Sequence, residues 1–407
     1  MKTYLKLAWR NLWRNRTRTL ITTAAVFFGV LLSAFMSSMQ EGSYDHYIDT
    51  IVNYFSGYIQ VHKKGYWDEK TINNSFSMGQ EDLNAVRNTQ NVTFTTPRLE
   101  SFALASHGDI TKGAMVIGVD PLKEDSITEI SGKLIDGEFL SDGDDGAIIA
   151  EDLANYLKLG VADTLVLLSQ GYHGATAAGL FRIKGIISHP SPELNRLLVY
   201  LDLQRSREFY SAHGMNTSLV VMIEDNKYLN AVADSLEAKL DRDKFEVMTW
   251  EEMEPVLLQQ IESDRASGRI MKAILYVVIG FGILGTVMMM MAERRKEFGV
   301  IMAVGMQKYR LSVVIFLETL MVGMLGVVAG IIASLPLNYY FYLNPIPLTG
   351  KAAEMINDMG FDPIMKFSMD PVVFYNQALT IFLITIVIVI YPLVTIFRTK
   401  VIEALRA

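Results

Sequence analysis

A short segment of mixed charge, residues 293–306, contains the residue types best suited to polar chemistry. Paired charges fix orientation through charge-assisted hydrogen bonds, and glycine permits the close approach of another chain. The segment is therefore suited to binding a protein partner, although an ordinary basic loop beside a membrane helix is the alternative interpretation. Its two carboxylates, three cations and two glycines are Glu293, Arg294, Arg295, Lys296, Glu297, Gly299 and Gly305.

Glu318 is a single acid inside an apolar run that is long enough to cross a membrane. An ionised carboxylate at that depth costs about 2.5–3.5 kcal/mol, so we expect the side chain to face protein and to be paired or protonated. It would serve at an interface between two chains, as a conformational lock, or as a neutral acid hydrogen-bonded between helices.

The remaining residues offer little catalytic chemistry. The chain has no cysteine, and its six histidines lack the spacing of metal ligands. It also contains no Gly-x-Ser-x-Gly turn that would expose a nucleophilic serine. We therefore predict neither a metal site nor a catalytic centre, and the net charge of −7 argues against binding nucleic acid.

Four apolar segments of the 407-residue chain reach the length of about 20 residues that spans a bilayer. The segments between them alternate in charge: residues 1–18 carry six Lys or Arg and no acid, whereas 41–272 carry 21 against 36 acids. Because basic loops stay in the cytoplasm, we expect both termini inside and residues 41–269 outside. The predicted transmembrane helices are 19–40, 270–292, 311–335 and 372–397, with cytoplasmic pieces 1–18, 293–310 and 398–407 and an outer loop 336–371.

The first 18 residues predict a basic amphipathic helix. Leu5, Trp9, Leu12 and Trp13 recur at helical spacing, while Lys6, Arg10 and Arg14 occupy another face. We expect this helix to lie flat on the inner leaflet, with a basic anchor of no defined shape as the alternative.

The outer segment predicts a mixed α/β domain. Two strand–helix–strand units flank a piece at about 98–205 that is rich in alternating apolar residues and turns, so we expect a split ferredoxin-like part with a mainly β inserted subdomain. Thr249 and Glu252 form a capping-box pattern before a helix that would continue to residue 292, with a kink at Pro255. The two units comprise residues 58–62, 80–87 and 92–97, then 219–223, 227–240 and 245–249.

These motifs carry a resemblance to a known family. Residues 293–306 resemble the E-R-x-x-E-[IF]-G-x-x-x-A-x-G signature of the FtsX-like permeases, which include lipoprotein-releasing Lol permeases and MacB-type exporters. The tail 401–406 is similar to that family's closing P-x-E-A-L-R, although Lys400-Val401 stand where a proline is common. In the outer segment, residues 116–121, 153–160 and 181–185 look like family landmarks, so the resemblance covers almost the whole chain.

The resemblance implies that residues 293–310 form a coupling helix seated on a cytoplasmic ABC ATPase dimer. The chain contains no G-x-x-x-x-G-K-[ST] stretch, so we expect ATP and Mg to bind to that separate subunit and no cofactor to bind here. A second copy of the chain, or a homologous permease, would complete the complex. The glycines Gly326 and Gly330 permit close helix crossing, either within the chain or at a dimer seam.

The function that the resemblance implies is the extraction of lipidated proteins from the outer leaflet of a bacterial inner membrane. Acyl chains would enter between the outer ends of the first two spans, where helix packing is the competing role of the same residues. A loop at Gly171, Tyr172, His173 and Gly174 is a candidate docking site for a periplasmic carrier or adaptor, or a plain flexible hairpin. The apolar candidates for substrate contact are Phe35, Met36, Met39, Ile274, Val277 and Val278.

Two other functions remain open from the sequence. The same motion could regulate an envelope hydrolase by mechanotransmission, without transport. A third possibility is a drug or peptide efflux permease with a detached ATPase.

Overall fold

The computed structural model describes residues 2–14, 16–358 and 361–398 of the chain. Its contacts divide the chain into two compact units. The membrane unit comprises residues 1–46, 260–347 and 364–407, and the outer unit comprises 47–259 and 348–363. The predicted tail motif at 401–406 lies outside the described residues.

The membrane unit is helical because its apolar runs must satisfy their backbone hydrogen bonds internally. Within the part of the chain that the structure describes, four helices are long and apolar enough to cross a membrane, which confirms the predicted number. Three of them are much longer than a bilayer core: α2 and α13 have 36 residues each, or about 54 Å at ~1.5 Å per residue, and α11 has 39, or about 58 Å. The helices that contribute to this unit are α1 (Lys2–Arg14), α2 (Arg16–Ile51), α11 (Pro255–Glu293), α12 (Arg295–Ala303), α13 (Lys308–Leu343) and α15 (Pro371–Arg398).

The outer unit combines one large sheet with short helices. Its helices are α3 (Tyr66–Glu69), α4 (Gln80–Arg87), α5 (Pro121–Thr128), α6 (Glu151–Leu157), α7 (Pro192–Asn195), α8 (Leu203–Phe209), α9 (Leu229–Lys239), α10 (Trp250–Met253) and α14 (Lys351–Asp358). Its strands are β1 (Ile59–Lys63), β2 (Val92–His107), β3 (Ile110–Val119), β4 (Leu134–Gly137), β5 (Ala147–Ala150), β6 (Thr164–Gln170), β7 (Thr176–Ile187), β8 (Leu198–Asp202), β9 (Ser218–Ile223) and β10 (Phe245–Thr249). Two short strands, β11 (Ile346–Pro347) and β12 (Ile364–Met365), pair in the membrane unit.

The ferredoxin-like prediction is confirmed by the strand order. β10, β1, β9 and β2 lie side by side, all antiparallel, with α4 and α9 in the connections that the two predicted strand–helix–strand units require. Buried Val61, Val220 and Leu236 belong to this layer, because alternate strand residues and one helix face turn inward.

The inserted part is not a separate sheet. β2 has 16 residues, and its first half pairs with β9 while its second half pairs with β3 and β6. One ten-stranded sheet therefore runs through both parts. The odd-numbered residues Leu99, Ala103 and Ala105 of β2 are buried in the core of the inserted part, whereas Phe102 and Leu104 on the other face are exposed.

The capping box at Thr249 is confirmed, and it belongs to a short helix. The Glu252 carboxylate accepts a hydrogen bond from the Thr249 backbone nitrogen at 2.8 Å. The expected continuous helix 251–292 is wrong at its start, because α10 ends at Met253 and Pro255 begins α11. A proline lacks the N–H that an uninterrupted helix would need there.

Candidate functional site

The mixed-charge segment contains the nine-residue helix α12, and Arg294 immediately precedes that helix. Phe298, Gly299 and Met302 are buried against the membrane unit. Arg295, Lys296 and Glu297 are exposed on the opposite side, and so are the apolar side chains of Val300 and Val304. The helix therefore presents a surface of cations, one carboxylate and two valines, and Gly305 follows it with a φ of 104°.

Arg294 does not belong to that exposed surface. Its guanidinium points inward, where Nη1 donates to both Glu318 oxygens at 2.7 and 2.9 Å. Both side chains are nearly inaccessible, and the Arg294 guanidinium also lies 5.2 Å from the Phe298 ring. Of the roles considered for Glu318, the structure supports a paired acid that joins α13 to the start of α12. The prediction that Arg294 contacts a partner is corrected. Its guanidinium neutralises the buried Glu318 carboxylate, which would be strongly destabilising without a cation.

The N-terminal helix α1 contacts the same two elements. Asn11 Nδ2 lies 3.4 Å from Glu318 Oε2, and Arg14 Nη2 lies 2.5 Å from Glu297 Oε2. Ala8 and Leu12 are buried, whereas Leu5, Trp9 and Trp13 are exposed. We expected the whole apolar face of α1 to lie on the inner leaflet, and this is corrected for Leu12. The side of α1 that carries Asn11 and Leu12 packs against α13, so Leu12 contacts protein.

A small cavity of about 30 Å³ lies beside this ion pair. Leu12, Thr22, Val287, Glu318 and Thr319 are among its lining residues, and the Thr319 hydroxyl is buried without a hydrogen-bond partner in the described part of the chain. Since a water molecule needs about 10–15 Å³ of such space, the cavity has room for a water molecule beside the ion pair.

The helices α2 and α11 are packed together from the middle of the predicted spans to their outer ends. A Cβ at Gly29 would lie 2.4 Å from Ile279 Cδ1, and one at Gly268 would lie 2.3 Å from the Gln40 side chain. Between them, Lys272 Nζ donates to Ser37 Oγ at 3.4 Å. In this conformation no open gap separates the two helices at these positions, because two glycines let them pack closely. The entry of acyl chains between them stays a prediction.

The six candidate substrate contacts separate into two groups. Phe35 packs on Phe341 and Phe367 with ring centroids at 5.7 and 5.0 Å, so the helix-packing role holds for it. Met39 is half-buried. Met36, Ile274, Val277 and Val278 are exposed on α2 and α11, where apolar side chains of a membrane helix contact lipid, cargo or another subunit.

The glycines of α13 pack within the chain. A Cβ at Gly326 would lie 2.5 Å from Val26 Cβ, and one at Gly330 would lie 2.7 Å from Val30 Cβ. The alternative of a dimer seam at these two glycines is thus excluded, because α2 occupies the groove. Gly282 and Gly285 of α11, in contrast, meet no described atom within 4 Å.

The candidate carrier-docking loop is held in place. The His173 backbone nitrogen donates to Asn73 Oδ1 at 2.8 Å, and that of Tyr172 donates to the Tyr210 carbonyl at 2.8 Å. Gly171 is buried, whereas His173 and Gly174 are exposed. The loop is therefore a turn hydrogen-bonded to the rest of the outer unit, with an exposed tip. Whether it docks a carrier or is a plain flexible hairpin stays open.

Sequence reasoning missed Asn11 and Arg14 as parts of this site. Arg14 was noted as one of three cations at helical spacing, with Lys6 and Arg10. That spacing does not show which of the three pairs with Glu297, which lies 283 residues further along the chain. Among the described residues, no group of histidines and acids could hold a metal ion.

Two family models match the chain. The FtsX-like permease C-terminal model matches residues 269–401, and the MacB-like periplasmic core domain model matches residues 19–239, which is more than half of the chain. The first match contains α12 and α13, and the second contains most of the outer unit.

Similar proteins include transporter components. The macrolide export ATP-binding/permease protein MacB of Nitrobacter winogradskyi is 22% identical over 78% of this chain and 50% of its own length. The chain thus spans half the length of that relative. An uncharacterized ABC transporter permease of Methanocaldococcus jannaschii is 19% identical over 81% of this chain and 82% of its own.

Two solved structures are loosely similar to part of the chain. The extracellular domain of the ABC-type transporter YknZ from Gram-positive bacteria is 14% identical, with a TM-score of 0.35, over 47% of this chain and 99% of that one. The periplasmic region of MacB from Actinobacillus actinomycetemcomitans is 15% identical, with a TM-score of 0.36, over 52% and 95%.

Proposed function

Because the chain belongs to the FtsX-like ABC transporter permeases with a MacB-like periplasmic core domain, we propose that a separate cytoplasmic ATPase dimer drives it through α12. ATP and Mg would bind to that ATPase and not to this chain. The observation that carries the proposal is the arrangement of α12: its cations and valines face outward, while Arg294 ties its start to Glu318 in the interior. A push on the exposed side of α12 would reach α13 through this pair.

The topology that this requires places α12 and both termini in the cytoplasm of a bacterial inner membrane. The outer unit would then lie in the periplasm or, in cells without an outer membrane, outside the cell. The basic composition of residues 1–18 and 293–310 supports this orientation. A second copy of the chain, or a homologous permease, would complete the complex.

Cargo would be moved laterally from the outer leaflet, and lipidated proteins fit that route best. The support is the exposed apolar face of α11, with Ile274, Val277 and Val278. Because α2 and α11 are packed together, cargo would bind on this exposed face in the conformation described. Burial of an acyl chain on such a face contributes about 0.8 kcal/mol per methylene, which would hold the anchor until the outer unit moves. The exposed tip at His173 and Gly174 is then a candidate contact for a periplasmic carrier.

Photocrosslinking tests this route with a matched control on the same helix. A photoreactive residue at exposed Val277 should capture acylated protein in the assembled complex, and one at buried Ile279 should not. Equal capture at the two positions, or capture of unacylated proteins alone at Val277, would contradict lipid extraction.

Efflux of a small molecule or peptide is the second candidate, because the relative from Nitrobacter winogradskyi is named for macrolide export. It predicts that the Val277 probe captures a macrolide or peptide in place of acylated protein. Regulation of an envelope hydrolase, the third possibility, predicts that cargo is absent from both positions and that a hydrolase crosslinks to the outer unit.

A further inference from the structure

The N-terminal helix α1 has three faces, and each has a different chemistry. Tyr4, Ala8, Asn11 and Leu12 are the residues that turn toward the rest of the membrane unit. Leu5, Trp9 and Trp13 are exposed at the spacing i, i+4 and i+8, and the two indole rings stack edge to face at 6.0 Å. Lys6, Arg10 and Arg14 follow the same spacing on the third face, which we call the cation row.

The two ends of the cation row differ in their partners. Arg14 pairs with Glu297 of α12, and Asn11 beside it reaches Glu318. Lys6 and Arg10 are exposed and form no ion pair with any described residue, although both lie on the same row. One end of α1 is thus engaged with the coupling helix, and the other end is available for an anionic ligand.

The neighbouring face indicates which anion fits. Exposed Trp9, Trp13 and Leu5 lie next to the cation row, and aromatic and apolar side chains beside lysine and arginine are typical of helices at the lipid headgroup level. Each basic residue raises the affinity of a helix for an anionic lipid surface by about fivefold, so Lys6 and Arg10 together raise it by about 25-fold. A soluble anion would gain nothing from the tryptophans.

We propose that Lys6 and Arg10 bind anionic phospholipid headgroups, and that α1 thereby transmits the lipid composition of the inner leaflet to α12. Lipid bound at the cation row fixes α1, and α1 holds Glu297 through Arg14 and Glu318 through Asn11. The coupling helix is then held more firmly in a leaflet rich in anionic lipid than in a neutral one. The hold on α12 follows from the contacts alone, whereas an effect on ATP hydrolysis rests on the proposed function.

Hydrogen exchange on the full-length protein in nanodiscs tests the hold on α12 directly. The amides of residues 295–303 should exchange at least about fivefold more slowly with phosphatidylglycerol present than in pure phosphatidylcholine. The variant Lys6→Gln/Arg10→Gln should lose this difference, and Lys6→Arg/Arg10→Lys should keep it. Equal exchange of the unchanged protein in the two lipids would overturn the proposal.

Two controls separate lipid binding from other causes. Arg182→Gln/Arg269→Gln removes two exposed cations elsewhere and should leave the lipid response intact. Inorganic phosphate added to phosphatidylcholine nanodiscs should not slow exchange, and slowing equal to that of phosphatidylglycerol would overturn the assignment to lipid.

A second readout separates this inference from the proposed function. In the complex with its ATPase, cargo-stimulated hydrolysis should rise with phosphatidylglycerol in the unchanged protein and not in Lys6→Gln/Arg10→Gln. If lipid slows exchange in α12 but no ATPase binds, the proposed function fails while the lipid site stands. If stimulation occurs but neither readout depends on lipid, the lipid site fails alone.

Discussion

The outer unit and the membrane unit each bury an arginine–glutamate pair, and the two pairs are built differently. In the outer unit, Arg98 donates to both Glu124 oxygens at 3.0 and 2.6 Å and also to the Phe55 carbonyl. In the membrane unit, Arg294 uses one nitrogen for both Glu318 oxygens. Arg98 and Glu124 are 2% and 0% exposed, whereas Arg294 retains 10% and borders the exposed Glu297.

The difference indicates two roles for the same chemistry. A cation that satisfies an acid and a backbone carbonyl in a closed core fixes one structure. Arg294 contacts Glu318 through one nitrogen and Glu297 of its own partly exposed helix through another, so it can shift with that helix. We therefore interpret Arg98–Glu124 as a structural pair and Arg294–Glu318 as the link between α12 and α13.

Removal of Arg98 should have the largest effect on stability. Arg98→Ala leaves Glu124 buried without its cation, which costs about 3–5 kcal/mol of unfolding free energy. Urea unfolding followed by Trp67 and Trp250 fluorescence, in a Trp9→Phe/Trp13→Phe background, reports on the outer unit. The control Arg196→Ala breaks an exposed pair with Asp152 and should cost less than about 1 kcal/mol. Similar losses of unfolding free energy in Arg98→Ala and Arg196→Ala would contradict the interpretation of Arg98–Glu124 as a structural pair.

Acid should weaken the outer unit through its buried histidines. Burial lowers the pKa of His62 to about 4, and burial likewise lowers the pKa of His189 to about 4. Between pH 6.5 and about 4 the unfolded chain binds protons that the folded chain does not, so stability falls with pH by up to about 3 kcal/mol per histidine.

The same fluorescence assay, repeated across this pH range, measures the slope. His62→Gln should flatten it, whereas the exposed His173→Gln should not. An unchanged slope in His62→Gln would show that the protons bind elsewhere.

In the membrane unit, loss of Glu318 should affect coupling more than stability. Glu318→Gln weakens the partner of a buried cation, and we expect a loss of about 1–3 kcal/mol together with the loss of cargo-stimulated ATP hydrolysis. The double variant Arg294→Met/Glu318→Met removes both charges and should restore stability without restoring coupling. Unfolding in mixed micelles and ATPase assays measure the two quantities, and full coupling in the double variant would contradict a role for the pair.

Helix contacts in the membrane unit give the smallest expected effect. Gly326→Ala places a methyl group against Val26 and should cost about 1 kcal/mol. The control Gly282→Ala has open space and better helix propensity, so it should be neutral or slightly stabilising in the same micelle assay. A dimer that dissociates only in Gly326→Ala would contradict the intramolecular packing.

The sequence predicted those features that depend on local pattern. Apolar length gave the four membrane helices, and alternation with turns gave both strand–helix–strand units, because these follow from burial of one face. The capping residues Thr249 and Glu252 were visible for the same reason.

Features that depend on contacts distant in sequence were missed. The sequence indicated that Glu318 needs a partner but not that Arg294 supplies it, since charge alone does not rank the cations of 293–310. The continuation of β2 beyond Pro97 into a second set of partners was invisible, because one strand with two neighbours has the same alternation as two separate strands. The close packing of α2 on α11 was also missed. It depends on which glycines face the other helix, and the sequence does not show that Gly29 and Gly268 do so while Gly282 does not.

The most direct test of the account uses the absence of cysteine from the chain. A single cysteine at Lys296 should react with a membrane-impermeant maleimide only after cells are opened, and in the intact complex it should crosslink to an ABC ATPase. A cysteine at exposed Arg182 should be labelled from outside in the same cells, after removal of any outer membrane. Labelling at position 296 in sealed cells would contradict the claim that a cytoplasmic ATPase drives this permease through α12.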